Sequence, residues 1–314
     1  MDKKVICVVG PTACGKTRLG VLLAQTYNGE VVSCDSMQIY RGMTIGTAAA
    51  TQSEMEGIPH HMLAVADPAE NWSAARYVSA ATPVVEDIFA RGRRPVLVGG
   101  TGLWLDALLR GHGFAPGMAG GAVRTELEAQ LARNGIEPLL EELRRVDPVS
   151  AEKLHPADEK RILRALEVFR ETGQTISALN AAERALPPRF ASVKIGLRFA
   201  NREDMKDLID CRVDAMVASG LLDEVRSLLN RGLPRSATAL QAIGYKEFAG
   251  VLEGEKTEAE AVEEIKLRSR QYAKRQLTWL RRDTGIHWIE WKKNRDFVRA
   301  MQISTGILSA EGLF

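Results

Sequence analysis

The chain has 314 residues, 45% of them hydrophobic and 26% charged, and its 42 Lys and Arg stand against 40 Asp and Glu for a formal net charge of +2. That length suits a core of roughly 200 residues with an inserted or appended module, and the composition excludes a collagenous, disordered or low-complexity chain. So small a positive excess gives no global argument for a nucleic-acid partner, and any such signal has to be local.

The first apolar run, Val5 to Val9, is cut by Gly10-Pro11. It is too short for a signal peptide and far short of the ~20 residues that span a bilayer, so a soluble, cytoplasmic protein with no membrane association is expected. The run reads as a buried strand, and Lys16 to about Tyr27 has the i, i+3, i+4 apolar spacing of a helix. A second strand runs from Glu30 to Cys34 and ends in Asp35; a helical stretch from about Ser73 to Arg91 leads to a third, Arg94 to Val98. Strands alternating with helices imply an α/β fold, a P-loop NTPase-like parallel sheet with helices on both faces. Ligands in such sheets sit beyond the carboxyl ends of the strands, here after Val9, Cys34 and Val98.

Gly111 to Gly121 holds five glycines and one proline, the composition of a hinge. Arg124 to about Glu183 then reads as helical, Leu186-Pro187-Pro188 closes it, and a strand resumes at Ser192 to Leu197. Residues 112–190 therefore read as a mostly helical insertion, with 1–111 and 191–314 forming the catalytic core. Helical stretches near 202–231 and 257–282 follow, then a last strand at Ile286 to Trp291. Cys7, Cys14, Cys34 and Cys211 have no CxxC spacing and read as reduced thiols. Adjacent His60-His61 diverge on most backbones and lack companion ligands, so a structural or substrate-loop role is expected there rather than a metal site.

Gly10-Pro11-Thr12-Ala13-Cys14-Gly15-Lys16-Thr17 fits GxxxxGK[ST] and stands between a buried strand and a helix, where a phosphate loop belongs. Its backbone N–H groups and the helix N-terminus would hold a di- or triphosphate. Lys16 would neutralise phosphate oxygens, and Thr17 would hold Mg²⁺. A P-loop ATPase normally has an acid at the end of another core strand, yet Val96-Leu97-Val98 runs into Gly99-Gly100-Thr101-Gly102 without one. The acid at a strand end is Asp35, open to three readings: a base on an acceptor nucleophile, a Mg²⁺ or hydroxyl ligand as in small-molecule kinases, or an Asx turn before Ser36.

The sequence is similar to the tRNA dimethylallyltransferases (tRNA isopentenyltransferases) of bacterial type over nearly its whole length. The likeness runs through GPTACGKT (10–17), DSMQIYRGMTIGTA (35–48), GIPHHM (57–62), VLVGGTGLWLDALLRG (96–111), LHPADEKRILRALEVFRETG (154–173), RVDAMVASGLLDEV (212–225), QAIGYKE (241–247) and RQYAKRQLTWLRRD (270–283). The resemblance implies transfer of a dimethylallyl group from dimethylallyl diphosphate to N6 of the adenosine 3′-adjacent to the anticodon, with Mg²⁺ as cofactor and diphosphate released. It implies Asp35 as general base, Lys16 and Thr101 as further catalytic residues, and residues 10–17 with Arg212, read as opening a helix, at the diphosphate. Contact with the tRNA anticodon stem-loop is implied for Asp35, Ser36, Met37, Gln38, Thr101, Arg124, Glu159, Lys160, Arg161, Ile162 and Leu163. A monomer is expected.

Lys266, Arg268, Arg270, Lys274, Arg275, Arg281 and Arg282 fall in one predicted helix with Tyr272 and Trp279 interleaved, a local basic stripe that the net charge conceals. From it Arg270, Lys274 and Arg275 are assigned to tRNA. The insertion adds Lys160, Arg161, Arg164 and Arg170. Two positions depart from the family. Cys14 replaces a usual serine, removing a hydroxyl expected near the phosphates, and Trp104 replaces a usual tyrosine, keeping an aromatic wall. The rival readings are a P-loop kinase of a small hydroxyl substrate and a non-catalytic, nucleotide-gated RNA-binding protein.

Overall fold

A computed structural model of the chain describes residues 4–111, 121–292 and 294–313. In chain order the first elements are β1 (Lys4–Val9), α1 (Lys16–Thr26), β2 (Gly29–Ser33), α2 (Gln52–Met55), β3 (His60–His61), α3 (Ala74–Ala90), β4 (Arg94–Gly99) and α4 (Gly102–Arg110). Five helices follow: α5 (Ala122–Asn134), α6 (Glu137–Val146), α7 (Pro148–Ala151), α8 (Glu159–Thr172) and α9 (Ile176–Ala185). The chain then forms β5 (Ala191–Phe199), α10 (Arg202–Ala218), α11 (Leu221–Asn230), a 3₁₀ turn (Ala239–Gln241), α12 (Tyr245–Leu252), α13 (Glu258–Leu280), β6 (Ile286–Trp291) and α14 (Phe297–Ala310). Two compact units result, 1–109 with 190–314, and 110–189.

The larger unit is built on one six-stranded sheet of order β3-β2-β4-β1-β5-β6, every neighbouring pair parallel. Parallel strands are covered on both faces, so they read as continuous apolar runs. On β1, Val5, Cys7 and Val9 enter one apolar cluster while Ile6 and Val8 enter another, the two-residue alternation of a strand dividing its side chains between two cores. With β4 between β1 and β2, the loops after these three strands emerge side by side. No helix among the described residues is long and apolar enough to cross a membrane.

The smaller unit packs Leu127, Leu139, Leu140, Leu143, Ile162, Leu163 and Leu166 into its own core. The continuous helical stretch expected there is broken in several places. Gly135 and Gly173 end α5 and α8 with positive φ. Asp147 caps α7, accepting from Ser150 N–H at 3.1 Å and Ser150 Oγ at 2.7 Å, and its carboxylate also takes the N–H of Ser177 in α9 at 3.1 Å. Most of the glycine-rich stretch, 112–120, lies outside the described residues.

Other expectations need correction. The 202–231 stretch is two helices parted at Ser219-Gly220, where Gly220 takes φ 95°. Arg212 lies in the middle of α10, whose cap, Asn201, stands eleven residues earlier and accepts from Glu203 N–H. The short α2, the two-residue β3, α12 and the terminal α14 escape sequence reading.

His60-His61 forms β3, at the sheet edge beside β2. His61 Nε2 lies 2.7 Å from Glu30 Oε2, and the buried Glu30 carboxylate also bonds Arg91 (Nη2–Oε2 2.8 Å) and pairs with Arg93 (3.1 Å). The Arg91 bonds outweigh the burial and, with His61, hold the Glu30 carboxyl at about 2. A depressed carboxyl contributes stability that is full above its unfolded-state value near 4.5 and is lost as the pH falls toward 2. Because the arginines are partly exposed, a contribution of about 2 kcal/mol is expected. Chemical denaturation of wild type and Glu30→Gln from pH 7 to 2 should show that gap at neutral pH and its closure below pH 4; a constant gap would remove Glu30 from acid unfolding.

Candidate functional site

The phosphate loop takes its shape from residues that accept unusual backbone angles. Gly10 has φ 152°, and a Cβ there would stand 2.5 Å from the Leu197 carbonyl oxygen on β5, so no side chain fits. Ala13 and Gly15 also have positive φ (63° and 90°), and Gly15 opens α1 with no side-chain cap and no acid in the first turn. A loop of this kind turns successive N–H groups toward one point and leaves the donors of the helix start unclaimed. Lys16 Nζ donates to the Pro11 carbonyl at 2.7 Å, within the loop itself.

Outward-facing groups of the loop are tied down from the C-terminal half of the chain. Thr12 N–H donates to Gln276 Oε1 (2.8 Å), and Trp291 Nε1 donates to the Cys14 carbonyl (2.8 Å). The Cys14 side chain is fully buried among the apolar residues of one core, and burial pushes its thiol up. The serine-to-cysteine departure lies within the loop, its Sγ close to Gly10 and within electrostatic reach of Lys16 and Arg212. Trp104 is buried and stacked on Tyr77, ring centroids 4.4 Å apart.

Asp35 is half-buried at the end of β2, and its Oδ1 accepts from the N–H groups of Met37 (2.9 Å) and Gln38 (3.3 Å). These are the bonds of an Asx turn, and they fix the carboxylate while leaving Oδ2 without a hydrogen-bond partner among the described residues. Thr101 follows β4, and its Oγ1 accepts from Ser36 N–H at 3.1 Å. The Thr101 carbonyl accepts from Trp104 and Leu105 at the start of α4. Asp35, Ser36 and Thr101 therefore stand together, with Met37 packed against the apolar core.

Gln38 stands differently. Its Oε1 accepts from Ser33 Oγ at 3.1 Å and its Nε2 donates to the Thr47 and Ala48 carbonyls at 3.2 Å each, so its amide braces the loop. The same loop is held from behind by Glu224, a residue that sequence reading passes over. Its carboxylate accepts from Thr44 N–H (2.9 Å), Ile45 N–H (2.9 Å), Gly46 N–H (3.1 Å) and Tyr245 Oη (2.5 Å). Burial raises the Glu224 pKa, but these bonds prevail and lower it overall.

Arg212, half-buried on α10, makes no hydrogen bond or ion pair among the described residues. It is near enough to Cys14 and Asp35 to feel both charges, and burial lowers its pKa. Tyr272 is pushed up to about 12 by burial and by Asp35, with Thr101 and Gln276 beside it. Arg295, also missed in the sequence, lies against the phosphate loop, its Cδ 3.3 Å from where a Cβ on Gly15 would be. Neither Gln276 nor Arg295 lies on a periodic or motif-defining position, although Gln276 falls inside one of the family-like segments.

The basic stripe is shorter than expected. Arg270 binds both carboxylate oxygens of Asp210 (2.6 and 2.7 Å), clamping α13 to α10, which corrects its assignment to tRNA. Lys266 pairs with Asp214 and Glu263, and Arg268 with Glu264 and Glu247. Lys274, Arg275, Arg281 and Arg282 are exposed and without ion pairs among the described residues; Arg275 lies over the Tyr272 ring at 5.8 Å. In the smaller unit Glu159, Lys160 and Arg161 are exposed, whereas Ile162 and Leu163 are buried in the core, so their side chains cannot reach tRNA. Arg124 pairs with Glu128 at 2.8 Å, and Arg164 and Arg170 are likewise paired with acids.

Comparison with known proteins places this site in context. The IPP transferase family profile matches residues 38–283, and that of the isopentenyl transferases matches 3–70. The chain is 44% identical over 290 residues to the tRNA dimethylallyltransferase of Halalkalibacterium halodurans, covering 92% of each. It is 44% identical over 295 residues to that of Geobacter metallireducens, covering 94% of this chain and 95% of the relative. Among solved structures, the full-length tRNA isopentenylpyrophosphate transferase of Bacillus halodurans superposes with TM-score 0.73 at 40% identity, covering 98% of both chains. A eukaryotic dimethylallyltransferase acting on tRNA superposes with TM-score 0.83 at 30% identity, covering 98% of this chain and 80% of that one. With a family profile spanning most of its length and relatives aligned nearly end to end, the chain belongs to the IPP transferase family, the tRNA dimethylallyltransferases.

Proposed function

We propose that the chain, as a monomer, transfers the dimethylallyl group of dimethylallyl diphosphate to N6 of the adenosine 3′-adjacent to the anticodon in tRNA. The observation that carries this reading is the Asp35 carboxylate. One oxygen is fixed by backbone N–H groups and the other is unengaged, beside Thr101 and within electrostatic reach of Arg212 at the phosphate loop. The N6 lone pair of adenine is delocalised into the ring, so the amine attacks poorly unless its proton is taken as the C–N bond forms. Asp35 Oδ2 accepts that proton, and the Thr101 and Ser36 hydroxyls orient the base.

The allylic C–O bond breaks at the same time, and its electron pair leaves with the diphosphate. Lys16 exchanges the Pro11 carbonyl for a phosphate oxygen, Arg212 supplies a second, unpaired positive charge, and the loop N–H groups hold the rest. The Thr17 hydroxyl makes no hydrogen bond among the described residues, and no cluster of acids or histidines able to hold a metal occurs among them. One hard oxygen donor beside the diphosphate fits Mg²⁺, which takes most of its ligands from substrate oxygens and water. When bound, Mg²⁺ supplies further stabilisation of charge on the leaving diphosphate.

The acceptor base is stacked in the anticodon loop and has to be extruded before attack. In the larger unit Lys274, Arg275, Arg281 and Arg282 are exposed cations that bind its phosphates; in the smaller unit Lys160 is likewise exposed, and Arg161 is exposed beside Asp158.

With labelled dimethylallyl diphosphate and unmodified tRNA, Asp35→Asn is expected to lower kcat by roughly 10²–10⁴-fold. Binding of each substrate should stay within about threefold, because the amide oxygen can still accept from Met37 and Gln38. Undiminished transfer by that variant excludes Asp35 as the base. Affinity for tRNA should fall steeply with salt and affinity for the diphosphate only slightly. The double variant Lys274→Ala/Arg275→Ala should flatten the tRNA slope by roughly 1–2 in log K against log salt. Equal slopes for the two substrates would leave the exposed cations no part in RNA binding, and Arg270→Ala, which removes a helix clamp, should instead lower the melting temperature.

A further inference from the structure

The three loops at the carboxyl end of the sheet are not tied together in the same way. Between the loops after β4 and β2 the ties are local to the strand ends. Thr101 N–H donates to the Cys34 carbonyl at 3.3 Å, and Ser36 N–H donates to Thr101 Oγ1 at 3.1 Å. The register of β1 with β4 ends at Val9 and Gly99. Past that point the side chain of Gln276 joins the two loops: Oε1 accepts from Thr12 N–H at 2.8 Å and Nε2 donates to the Gly100 carbonyl at 3.0 Å. Gln276 is 6% exposed on α13, and a Cβ on Gly100 would collide with its Nε2, so the amide is wedged between two backbones.

We propose that Gln276 is a positioning residue that sets the separation between the diphosphate cradle and the acceptor base. One end of its amide touches the cradle at Thr12. The other touches Gly100, covalently next to Thr101, which holds Ser36 and through it the Asp35 turn. A primary amide presents a donor and an acceptor at fixed spacing to a C=O and an N–H, and does so at any pH. Displacement at an allylic carbon requires nucleophile and carbon to meet within about 3–3.5 Å in line with the leaving group, so a displacement of about 1 Å between cradle and base can cost on the order of 100-fold in rate. The proposal rests on the prenyl-transfer reading of the site.

The test compares wild type, Gln276→Met and Gln276→Glu in single-turnover transfer, with melting temperatures and separate binding constants for dimethylallyl diphosphate and tRNA. Gln276→Met is expected to lose about 100-fold in the transfer step while both binding constants stay within about threefold. Gln276→Glu keeps the acceptor for Thr12 but donates to Gly100 only when protonated. Its transfer rate relative to wild type is therefore expected to rise as the pH falls from 8.5 to 6. Transfer by Gln276→Met at the wild-type rate overturns the proposal, as does a loss that vanishes on correction for folded fraction or one confined to diphosphate binding. Should Gln276→Met fail to fold, a pH-independent ratio for Gln276→Glu overturns it. Failure of wild type itself to label tRNA would instead defeat the prenyl-transfer reading.

Discussion

The core depends on a loop whose backbone must be held open with its donors facing inward. A chain that left so many N–H groups unused at a strand end would normally fold them onto itself, because an unmet buried donor costs about 1–3 kcal/mol. The loop avoids this by having its outer surface satisfied from a distance. Gln276 takes the Thr12 N–H and Trp291 donates to the Cys14 carbonyl, while within the loop Lys16 binds Pro11. The C-terminal third of the sequence thus acts as scaffolding for a motif in the first twenty residues, and the sheet order, with β1 between β4 and β5, brings the two within reach.

Charge is managed in a similar way. Acidic and basic residues are nearly equal in number, yet they are not distributed alike. Along α13 the cations nearest its N-terminal half are matched by acids of α10, α12 and α13 itself, while those toward its C-terminal end are not. One helix therefore serves as a structural clamp at one end and as a free basic surface at the other. The acids that hold the clamp reduce the net charge without weakening that surface.

Legibility of the sequence followed the range of the physics. The phosphate loop and its flanking strand and helix were readable because their chemistry is local, and the buried strands β1 and β4 because apolar runs of that length have few alternatives. The basic stripe was readable as composition but not as pairing, since Asp210 and Asp214 lie more than fifty residues from Arg270 and Lys266. Residues 159–163 were assigned to RNA as a block by resemblance, although helical spacing sends Ile162 and Leu163 inward with Leu166. Glu224 and Gln276 gave no signal of their own. A carboxylate that caps a loop 180 residues away, and an amide that joins two strand ends, look in sequence like ordinary polar positions on helices.

The burial of Cys14 has a consequence for the chemical reactivity of the molecule. A thiol inside a phosphate loop would ordinarily be a target, because thiolates form readily near cations and helix starts. Here burial outweighs the nearby Lys16 and Arg212 and holds the thiol protonated, and burial does the same for Cys7 and Cys34. Cys211 alone among the four is exposed. Thiol-alkylating reagents thus meet Cys211 on α10 as the one exposed cysteine, and a fluorophore or spin label attached there would sit one residue from Arg212.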